Sequence, residues 1–202
     1  MIKIKFCGLT RLEDVEFANK LTPDYIGFVF AEKSRRRVTV EQAAQLRKFL
    51  DAKILSVGVF VNENIFNVAE ICNRGIIDAI QLHGNEDENY IAELRTLTDK
   101  IIIKAFKVTN EEILKHAETC AADYVLLDGG AGDGKTFDWQ LLKNFRRKYF
   151  LAGGLTVENV RDAIKFLNPY AVDVSSGIET DGVKNFDKMR KFIRAVGRKL
   201  ND

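Results

Sequence analysis

The chain is poor in the residue types that build disulfide frameworks and metal centres. Of its 202 residues, 3 are cysteines and 2 are histidines. The cysteines (Cys7, Cys72 and Cys120) lie far apart and show no CxxC spacing, which argues against a disulfide framework or a zinc site. Two histidines leave little material for a histidine-built metal site. We therefore expect no metal and a reduced, cytoplasmic environment.

Long apolar runs and an excess of one charge are also absent. No uninterrupted apolar segment approaches the roughly 20 residues that a membrane span needs. The 31 Lys and Arg residues nearly balance the 29 Asp and Glu residues, whereas a general nucleic-acid binder would show a basic excess. Residues 1–6 carry two lysines and have the pattern of a strand, not of a signal peptide. The sequence thus predicts a soluble protein without a membrane or nucleic-acid partner.

What the chain does contain is a repeated pair of segments, a short apolar run followed by an amphipathic stretch. With only 2 prolines and no linker, we expect one domain over residues 1–202. The runs begin about 22 to 30 residues apart, as βα units do. They lie at 2–6, 25–30, 54–61, 79–82, 101–106, 124–127, 149–152 and 171–174. Eight such units predict an α/β protein with a single (β/α)8 TIM barrel.

An open, doubly wound sheet is the competing fold, and the strand faces discriminate between the two. In the first run Ile4 and Phe6 share one face, whereas Lys5 lies on the other. A central strand of a doubly wound sheet is covered by helices on both sides and should be apolar on both. A barrel interior can instead pair Lys5 or Lys104 with Asp173. The pattern favours the barrel.

Active sites of such barrels lie at the C-terminal ends of the strands, so the residues there are the candidates. Glycines in the last two of these loops allow close approach of the backbone to a ligand, and these loops commonly bind phosphate. Thr156 is predicted to cap a helix that begins after Gly154, leaving amides for the anion. Ordinary tight turns remain the alternative. The predicted phosphate-binding residues are Gly153, Gly154, Ser175, Ser176 and Gly177.

Two residues at strand ends suit acid–base chemistry. Cys7 shares a strand face with Lys5, whose ammonium group would favour a thiolate base. Cys7 is otherwise a small buried hydrophobic residue, as most free cysteines are. Asp128 is the carboxylate on the active-site face of the sixth strand. To act as a proton donor near pH 7 it would need a raised pKa. Its alternative role is to cap the following turn.

Other strand ends offer groups that could contact a ligand. His83 and Gln81 share a face of the fourth strand and are plausible substrate contacts, although a lone histidine is more often structural. Arg36 belongs to a basic run that is usually a solvated face. On an active-site loop its guanidinium could clamp a carboxylate through two hydrogen bonds.

One motif points to a different function. Residues 129–136 match the G-x4-G-K-[ST] pattern of a P-loop, with Lys135 and Thr136 at its end. The motif follows the sixth strand, however, and Asp138 makes a better helix cap than a helix already running from Lys135. Nucleotide binding therefore stays as the rival hypothesis. We expect the segment to form a mobile lid.

Several ordered blocks resemble the phosphoribosylanthranilate isomerase family of tryptophan biosynthesis. They span residues 5 to about 185 and touch nearly every βα unit. The blocks are KFCGLT (5–10), GFVF (27–30) with KSRR (33–36), VGVFVNE (57–63), QLHG (81–84), GKTFDW (134–139), LAGGL (151–155) with ENV (158–160), and DVSSGIE (173–179). The P-loop-like block is part of this family's pattern.

The resemblance implies a cofactor-free Amadori rearrangement of N-(5-phosphoribosyl)anthranilate to its ribulose isomer. By the family's pattern Cys7 is the general base, Asp128 the general acid and Arg36 the anthranilate-carboxylate ligand. The phosphate loops match Gly153 with Gly154, and residues 175–177. A barrel that binds phosphoribosyl compounds without turnover remains a third hypothesis, and the pattern does not decide between monomer and homodimer.

This chain departs from the family's pattern at three places. Phe6 stands where a smaller aliphatic residue is common, and it should face the helices. The segment 128–134 looks shortened and contains Asp133, which bears on closure over the substrate. Asn185 replaces an expected aspartate and should only alter a helix cap.

Overall fold

Eight parallel strands pair in chain order and close into a barrel in the computed structural model, which describes residues 1–129 and 139–199. The ring closes between the first and last strands, where Lys5 pairs with Asp173 in register. The strands lie within one residue of the predicted runs at each end, so the predicted barrel is confirmed. They are β1 (Lys3–Cys7), β2 (Tyr25–Val29), β3 (Leu55–Phe60), β4 (Ala79–Leu82), β5 (Ile101–Lys107), β6 (Tyr124–Asp128), β7 (Tyr149–Ala152) and β8 (Ala171–Val174).

Helices follow the strands around the outside of the barrel. They are α1 (Leu12–Leu21), α2 (Val40–Phe49), α3 (Ile65–Asn73), α4 (Glu88–Leu97), α5 (Glu111–Thr119), α6 (Val160–Leu167) and α7 (Phe186–Val196). After β6 the described residues form a short 3-10 turn, Trp139–Leu142, where the repeat predicts an α-helix. The expected lid and the Asp138 cap lie outside the described residues. Between β8 and α7 the chain forms a small hairpin of β9 (Glu179–Thr180) and β10 (Val183–Lys184).

Polar side chains define where the helices begin. In α2, the Thr39 hydroxyl accepts from the Gln42 amide while the Gln42 side chain accepts from the Thr39 amide. This reciprocal pair satisfies two amides that a helix start leaves without partners. In α7, Asn185 Oδ1 accepts from the Lys188 amide at 3.0 Å. Asn185 therefore caps the helix, as expected.

Apolar side chains on the outer strand faces pack against the helices and form the larger core. Ile4 and Phe6 belong to it, and the Phe6 ring meets Phe192 of α7 edge to face at 6.4 Å. Phe6 thus faces the helices, as predicted. Among the described helices, none has the length and apolar character needed to cross a bilayer.

The barrel interior contains a second, smaller apolar cluster toward the N-terminal ends of the strands. Phe150 is fully buried there, and its ring centroid lies 5.4 Å from that of Tyr25 and 5.7 Å from that of Tyr170. Other members of the cluster are small or branched, among them Val57, Ala79, Ile103, Ala105, Leu126 and Ala171. This end of the barrel is a packed apolar floor.

One predicted interior pair is confirmed and its alternative is wrong. Lys5 Nζ lies 3.0 and 3.1 Å from the two carboxylate oxygens of Asp173, inside the barrel. Lys104 does not share this face, because Ile103 and Ala105 on either side of it point inward. Its ammonium group instead lies 2.9 Å from Glu86 Oε2.

Candidate active site

A cavity of about 440 Å³ opens at the C-terminal ends of the strands, above the apolar floor. It brings together the predicted catalytic, substrate-contacting and phosphate-binding residues, with the exception of Gly177. These lining residues are Cys7, Arg36, Gln81, His83, Asp128, Gly153, Gly154, Ser175 and Ser176, with Ser34, Lys107 and Asp173 beside them. Side chains 120 or more positions apart in the chain converge here because all parallel strands end at the same rim.

Cys7 ends β1 and is partly exposed to this cavity. Its register partner on β2 is Gly27, and a Cβ at that position would lie 2.8 Å from the Cys7 sulfur. A side chain there would have to displace the thiol. The absence of a side chain on Gly27 therefore leaves the room that Cys7 occupies.

Two opposing effects act on the pKa of Cys7, the charge of Lys5 that the sequence suggested and burial that it could not show. Burial raises the pKa of the Cys7 thiol, and the Lys5 ammonium group, which lowers it, does not fully compensate. Lys5 thus favours the thiolate, as the sequence suggested, but burial is the larger effect and leaves the pKa of Cys7 above its usual value. Burial also acts to lower the pKa of Lys5, but the neighbouring groups, Asp173 foremost, outweigh it, so Lys5 stays protonated.

Asp128 stands at the end of β6, and β7 and β8 separate it from β1 around the ring. Its Oδ2 lies 3.4 Å from Nε2 of His83. The His83 Nδ1 lies 2.8 Å from the side-chain nitrogen Nε2 of Gln81. The side chains of Asp128, His83 and Gln81 thus form a row along one wall of the cavity. The Gln81 Oε1 is buried without a hydrogen-bond partner among the described residues, which suits a polar ligand group.

The loops after β7 and β8 lie side by side, as phosphate binding would require. Gly153 and Gly154 both have positive φ angles, +91° and +64°. Gly177 does not line the cavity, but it lets the two loops pack, because a Cβ there would collide with the Leu155 carbonyl oxygen. Gly177 is thus a structural contact between the loops.

The prediction that Thr156 caps the following helix is confirmed in part, because its carbonyl oxygen accepts from the Val160 amide at 3.1 Å and its hydroxyl caps the turn that leads into α6. The helix α6 begins only at Val160, and residues 157–159 form a turn before it. The Thr156 amide donates to Asn159 Oδ1 at 2.8 Å, so it is not available to an anion. Its hydroxyl accepts from the Glu158 amide at 3.2 Å. Within this turn the Thr156 amide is therefore bonded to the protein itself, whereas anion binding by the other amides of the loop stays a prediction.

Arg36 reaches the cavity from the loop after β2 and is held by a residue that sequence reasoning left without a role. Its Nε and Nη2 donate to the two carboxylate oxygens of Glu179 at 2.6 and 2.7 Å. The backbone amide of Arg36 donates to the Ser34 hydroxyl at 3.1 Å. Glu179 closes the DVSSGIE block, and an acidic residue so close to a predicted phosphate loop was the signal that a buried cation lies nearby.

Lys184 on β10 is the second residue that the sequence analysis missed. Its side chain is buried, and Nζ lies 2.6 Å from Glu179 Oε1 and 3.1 Å from the Ser175 carbonyl oxygen. Burial lowers the pKa of Lys184, an effect that the Glu179 carboxylate partly opposes. No group of three or more His, Cys, Asp or Glu side chains suited to a metal ion occurs within residues 1–129 and 139–199.

Known proteins resemble this chain over nearly its whole length. A family model described as N-(5'-phosphoribosyl)anthranilate isomerase matches residues 4–195. A protein of that name from Endomicrobium trichonymphae is 46% identical over 201 residues, which cover 97% of this chain and 98% of the relative.

Solved structures give the same result. A phosphoribosyl anthranilate isomerase from Thermotoga maritima superposes with a TM-score of 0.90 at 36% identity, covering 98% of this chain and 99% of the other. A second structure, with a TM-score of 0.87 at 36% identity and the same coverage, is such an isomerase in complex with reduced 1-(o-carboxyphenylamino)-1-deoxyribulose 5-phosphate.

Proposed function

The chain belongs to the phosphoribosylanthranilate isomerase family, and we propose that it converts N-(5-phosphoribosyl)anthranilate to 1-(2-carboxyphenylamino)-1-deoxyribulose 5-phosphate in tryptophan biosynthesis. The observation that carries this proposal is the single cavity in which Cys7, Asp128, Arg36 and the two phosphate loops meet. The whole of residues 1–202 acts as one domain. Three free thiols suit a reducing compartment, and we place the enzyme in the cytoplasm.

The substrate is elongated, with a phosphate at one end and a carboxylate at the other, and the cavity offers a partner for each. The loops at Gly153, Gly154, Ser175 and Ser176 receive the phosphate, and Arg36 receives the anthranilate carboxylate. The ribose then lies between β1 and β6, with Cys7 on one side and Asp128 on the other. Such binding at both ends orients the reacting carbons.

Proton transfers alone accomplish the rearrangement. Asp128 protonates the ring oxygen while the C1–O bond breaks and the anthranilate nitrogen lone pair forms a C1=N iminium. Cys7, as the thiolate, removes the C2 proton, and the C–H electrons form the C1=C2 bond of an enolamine. The enolamine then tautomerises to the C2 ketone. Each such transfer contributes roughly 10²- to 10⁴-fold, and no external oxidant, reductant, metal or organic cofactor is required.

The raised pKa of Cys7 has a consequence for this mechanism. The thiolate is scarce in the free protein at pH 7, but it is a stronger base once formed. Lys5, which is held by hydrogen bonds to Asp173, lowers the pKa of Cys7 and is the group that stabilises the thiolate.

The P-loop hypothesis loses its structural support. Residues 130–136 of that motif lie outside the described residues, but the motif follows β6 of a closed barrel, not a strand of an open sheet. We expect no measurable Mg·ATP binding by calorimetry, and the same heat signal for intact protein and Lys135→Ala. Binding that Lys135→Ala abolishes would restore the hypothesis.

The decisive test is turnover of freshly generated phosphoribosylanthranilate without metal or nucleotide, for the intact protein and for Cys7→Ala. We expect turnover that the variant loses. Tight binding of the reduced product analogue without turnover by the intact protein would instead identify a phosphate-ligand barrel that is not an enzyme.

A further inference from the structure

Glu179 is a buried carboxylate whose partners lie on separate parts of the active site. Beside its two hydrogen bonds from Arg36, it accepts from Lys184 at 2.6 Å and lies 3.4 Å from Arg35 Nη2. Burial raises the pKa of Glu179, but the hydrogen bonds from Arg36 and Lys184 outweigh it and leave the pKa below its usual range. Glu179 is therefore ionised at neutral pH.

Lys184 extends these contacts to the other end of the cavity. Its Nζ lies 3.1 Å from the carbonyl oxygen of Ser175 and 3.3 Å from its hydroxyl. The Ser175 hydroxyl in turn donates to the Cys7 carbonyl oxygen at 2.9 Å. A continuous chain of contacts thus runs from Arg36 through Glu179 and Lys184 to a phosphate-loop residue and the end of β1.

The aliphatic part of the Arg36 side chain is held in place as well as its guanidinium group. A Cβ at Gly8, directly after β1, would overlap the Arg36 Cδ, so the arginine stem packs against the bare backbone there. With Nε and Nη2 committed to Glu179, the guanidinium keeps one orientation toward the cavity. A bidentate pair imposes such an orientation, which a single point charge would not.

Stability alone is a weak explanation for these contacts. A buried ion pair gains little over apolar residues of similar volume, because desolvation offsets the attraction between the charges. A fixed partner does help an arginine that must present one edge to a carboxylate. The conformational entropy of its side chain is then lost on folding and not on ligand binding, so the affinity for the ligand is higher.

We propose that Glu179 and Lys184 are positioning residues. Together they hold Arg36, which binds the carboxylate of the substrate, at a fixed distance from the phosphate loop at Ser175. This distance matches the two ends of the substrate. The proposal rests on the proposed function for the identity of the substrate. Glu179 contacts Arg36 directly and reaches the phosphate loop only through Lys184, whereas Lys184 contacts Ser175 directly and reaches Arg36 only through Glu179.

The test measures binding of two probes by calorimetry: the reduced product analogue 1-(o-carboxyphenylamino)-1-deoxyribulose 5-phosphate, and the same compound without its carboxylate. Glu179→Gln keeps the shape of the side chain and removes the charge. We expect it to weaken binding of the first probe by about tenfold or more and that of the second by less than about twofold. In turnover, KM should rise more than kcat falls.

A double-mutant cycle that combines Glu179→Gln with Arg36→Met measures the energetic coupling between Glu179 and Arg36. If Glu179 acts through Arg36, then adding Glu179→Gln to Arg36→Met should weaken binding of the first probe by less than about twofold more. Lys184→Met should weaken both probes, because it also releases Ser175. Asp24→Asn is the matched control, since Asp24 likewise accepts from two cations, Lys3 and Arg198, but near the N-terminal ends of the strands. It should change neither probe.

Equal weakening of both probes by Glu179→Gln, or a full multiplicative effect in the Arg36→Met background, would overturn the proposal. If Glu179→Gln fails to fold, the pair Glu179→Gln with Lys184→Met removes both buried charges together. That variant should still lose more affinity for the first probe than for the second, and equal losses would contradict positioning. Binding of both probes without turnover by the intact protein would refute the proposed function alone, and binding of neither would refute both.

Discussion

At the N-terminal end of the barrel interior, Phe150 packs among Tyr25, Tyr124 and Tyr170, with ring centroids 5.4 to 5.8 Å apart. At the C-terminal end the same strands carry ionisable and amide side chains, from Cys7 and Gln81 to Asp128. Both ends are built from the inward faces of the same eight strands, only a few residues apart. The barrel thus separates its stability from its chemistry along each strand, and substitutions at the two ends should have different consequences.

Loss of the acid or the base at the C-terminal end should have the largest effect. We expect Cys7→Ala and Asp128→Asn each to reduce kcat by about 10²- to 10⁴-fold, because each removes one proton transfer. The temperature of unfolding should stay within a few degrees of that of the intact protein. Steady-state turnover and circular dichroism check this pair. Near-normal turnover of either variant would remove that residue from the mechanism.

The opposite result is expected at the apolar floor. Phe150→Ala should lower the free energy of unfolding by about 3–5 kcal/mol, because it opens a cavity at a fully buried site. At a temperature where the variant is folded, kcat should be nearly unchanged. Phe49→Ala is the matched control, since that ring is 58% exposed. A large drop in kcat with intact folding would show that the two ends are not separable.

Lys5 lies where the two ends meet, and its removal should affect both. Lys5→Met leaves Asp173 buried without its ammonium partner, at a cost of about 3–5 kcal/mol in unfolding free energy. The pKa of Cys7 should also rise further, because Lys5 is the main group that lowers it.

The pH dependence of kcat/KM measures the further rise in the pKa of Cys7 that we expect in Lys5→Met. The active form of Cys7 is deprotonated and its pKa is raised, so kcat/KM of the intact enzyme should keep rising above about pH 8.5. In Lys5→Met this limb should move to still higher pH. Lys104→Met, which breaks the pair with Glu86 on the outer face, should leave it in place. An unchanged limb in Lys5→Met would exclude Cys7 as the titrating base.

A smaller contrast concerns two glycines with positive φ angles. Gly75→Ala should cost about 1–2 kcal/mol of stability through backbone strain, and Gly153→Ala should cost more, because its Cβ would also lie 2.6 Å from the Gly129 backbone nitrogen. Only at Gly153 would the new Cβ approach the acid, 2.7 Å from Asp128 Oδ1, whereas Gly75 has open space. We expect kcat to fall several-fold in Gly153→Ala alone. Equal turnover in the two variants would show that the contact with Asp128 is unimportant.

Most of the fold could be predicted from the sequence because the strands are short, apolar and evenly spaced. The strand ends could then be ordered around a rim, which brought Cys7 and Asp128 into one cavity. The wrong prediction that Lys104 points into the barrel has a physical cause. Its neighbours in the run 101–106 are apolar on both faces of the strand, so alternation of polar and apolar residues does not show which face is inward. Only the pairing of Gln81 with Ile103 in the sheet defines which face is inward.

Glu179 and Lys184 were beyond reach of the pattern for a different reason. They lie in a hairpin of two-residue strands, which shows no periodicity, and Glu179 meets Arg36 across 143 positions of sequence. The balance of forces on Cys7 was equally invisible, since a neighbouring ammonium group can be seen in a sequence whereas the extent of burial cannot.

The space that Gly27 leaves for the Cys7 sulfur has a consequence for the life of the enzyme in an oxidising environment. Oxidants and electrophiles attack the thiolate, and a neutral, partly enclosed thiol reacts slowly with them. The burial that makes the thiolate scarce therefore also protects it from sulfenic acid formation between turnovers. Cys72 and Cys120 lie buried in the outer core. Between turnovers Cys7 thus rests in its less reactive, neutral form.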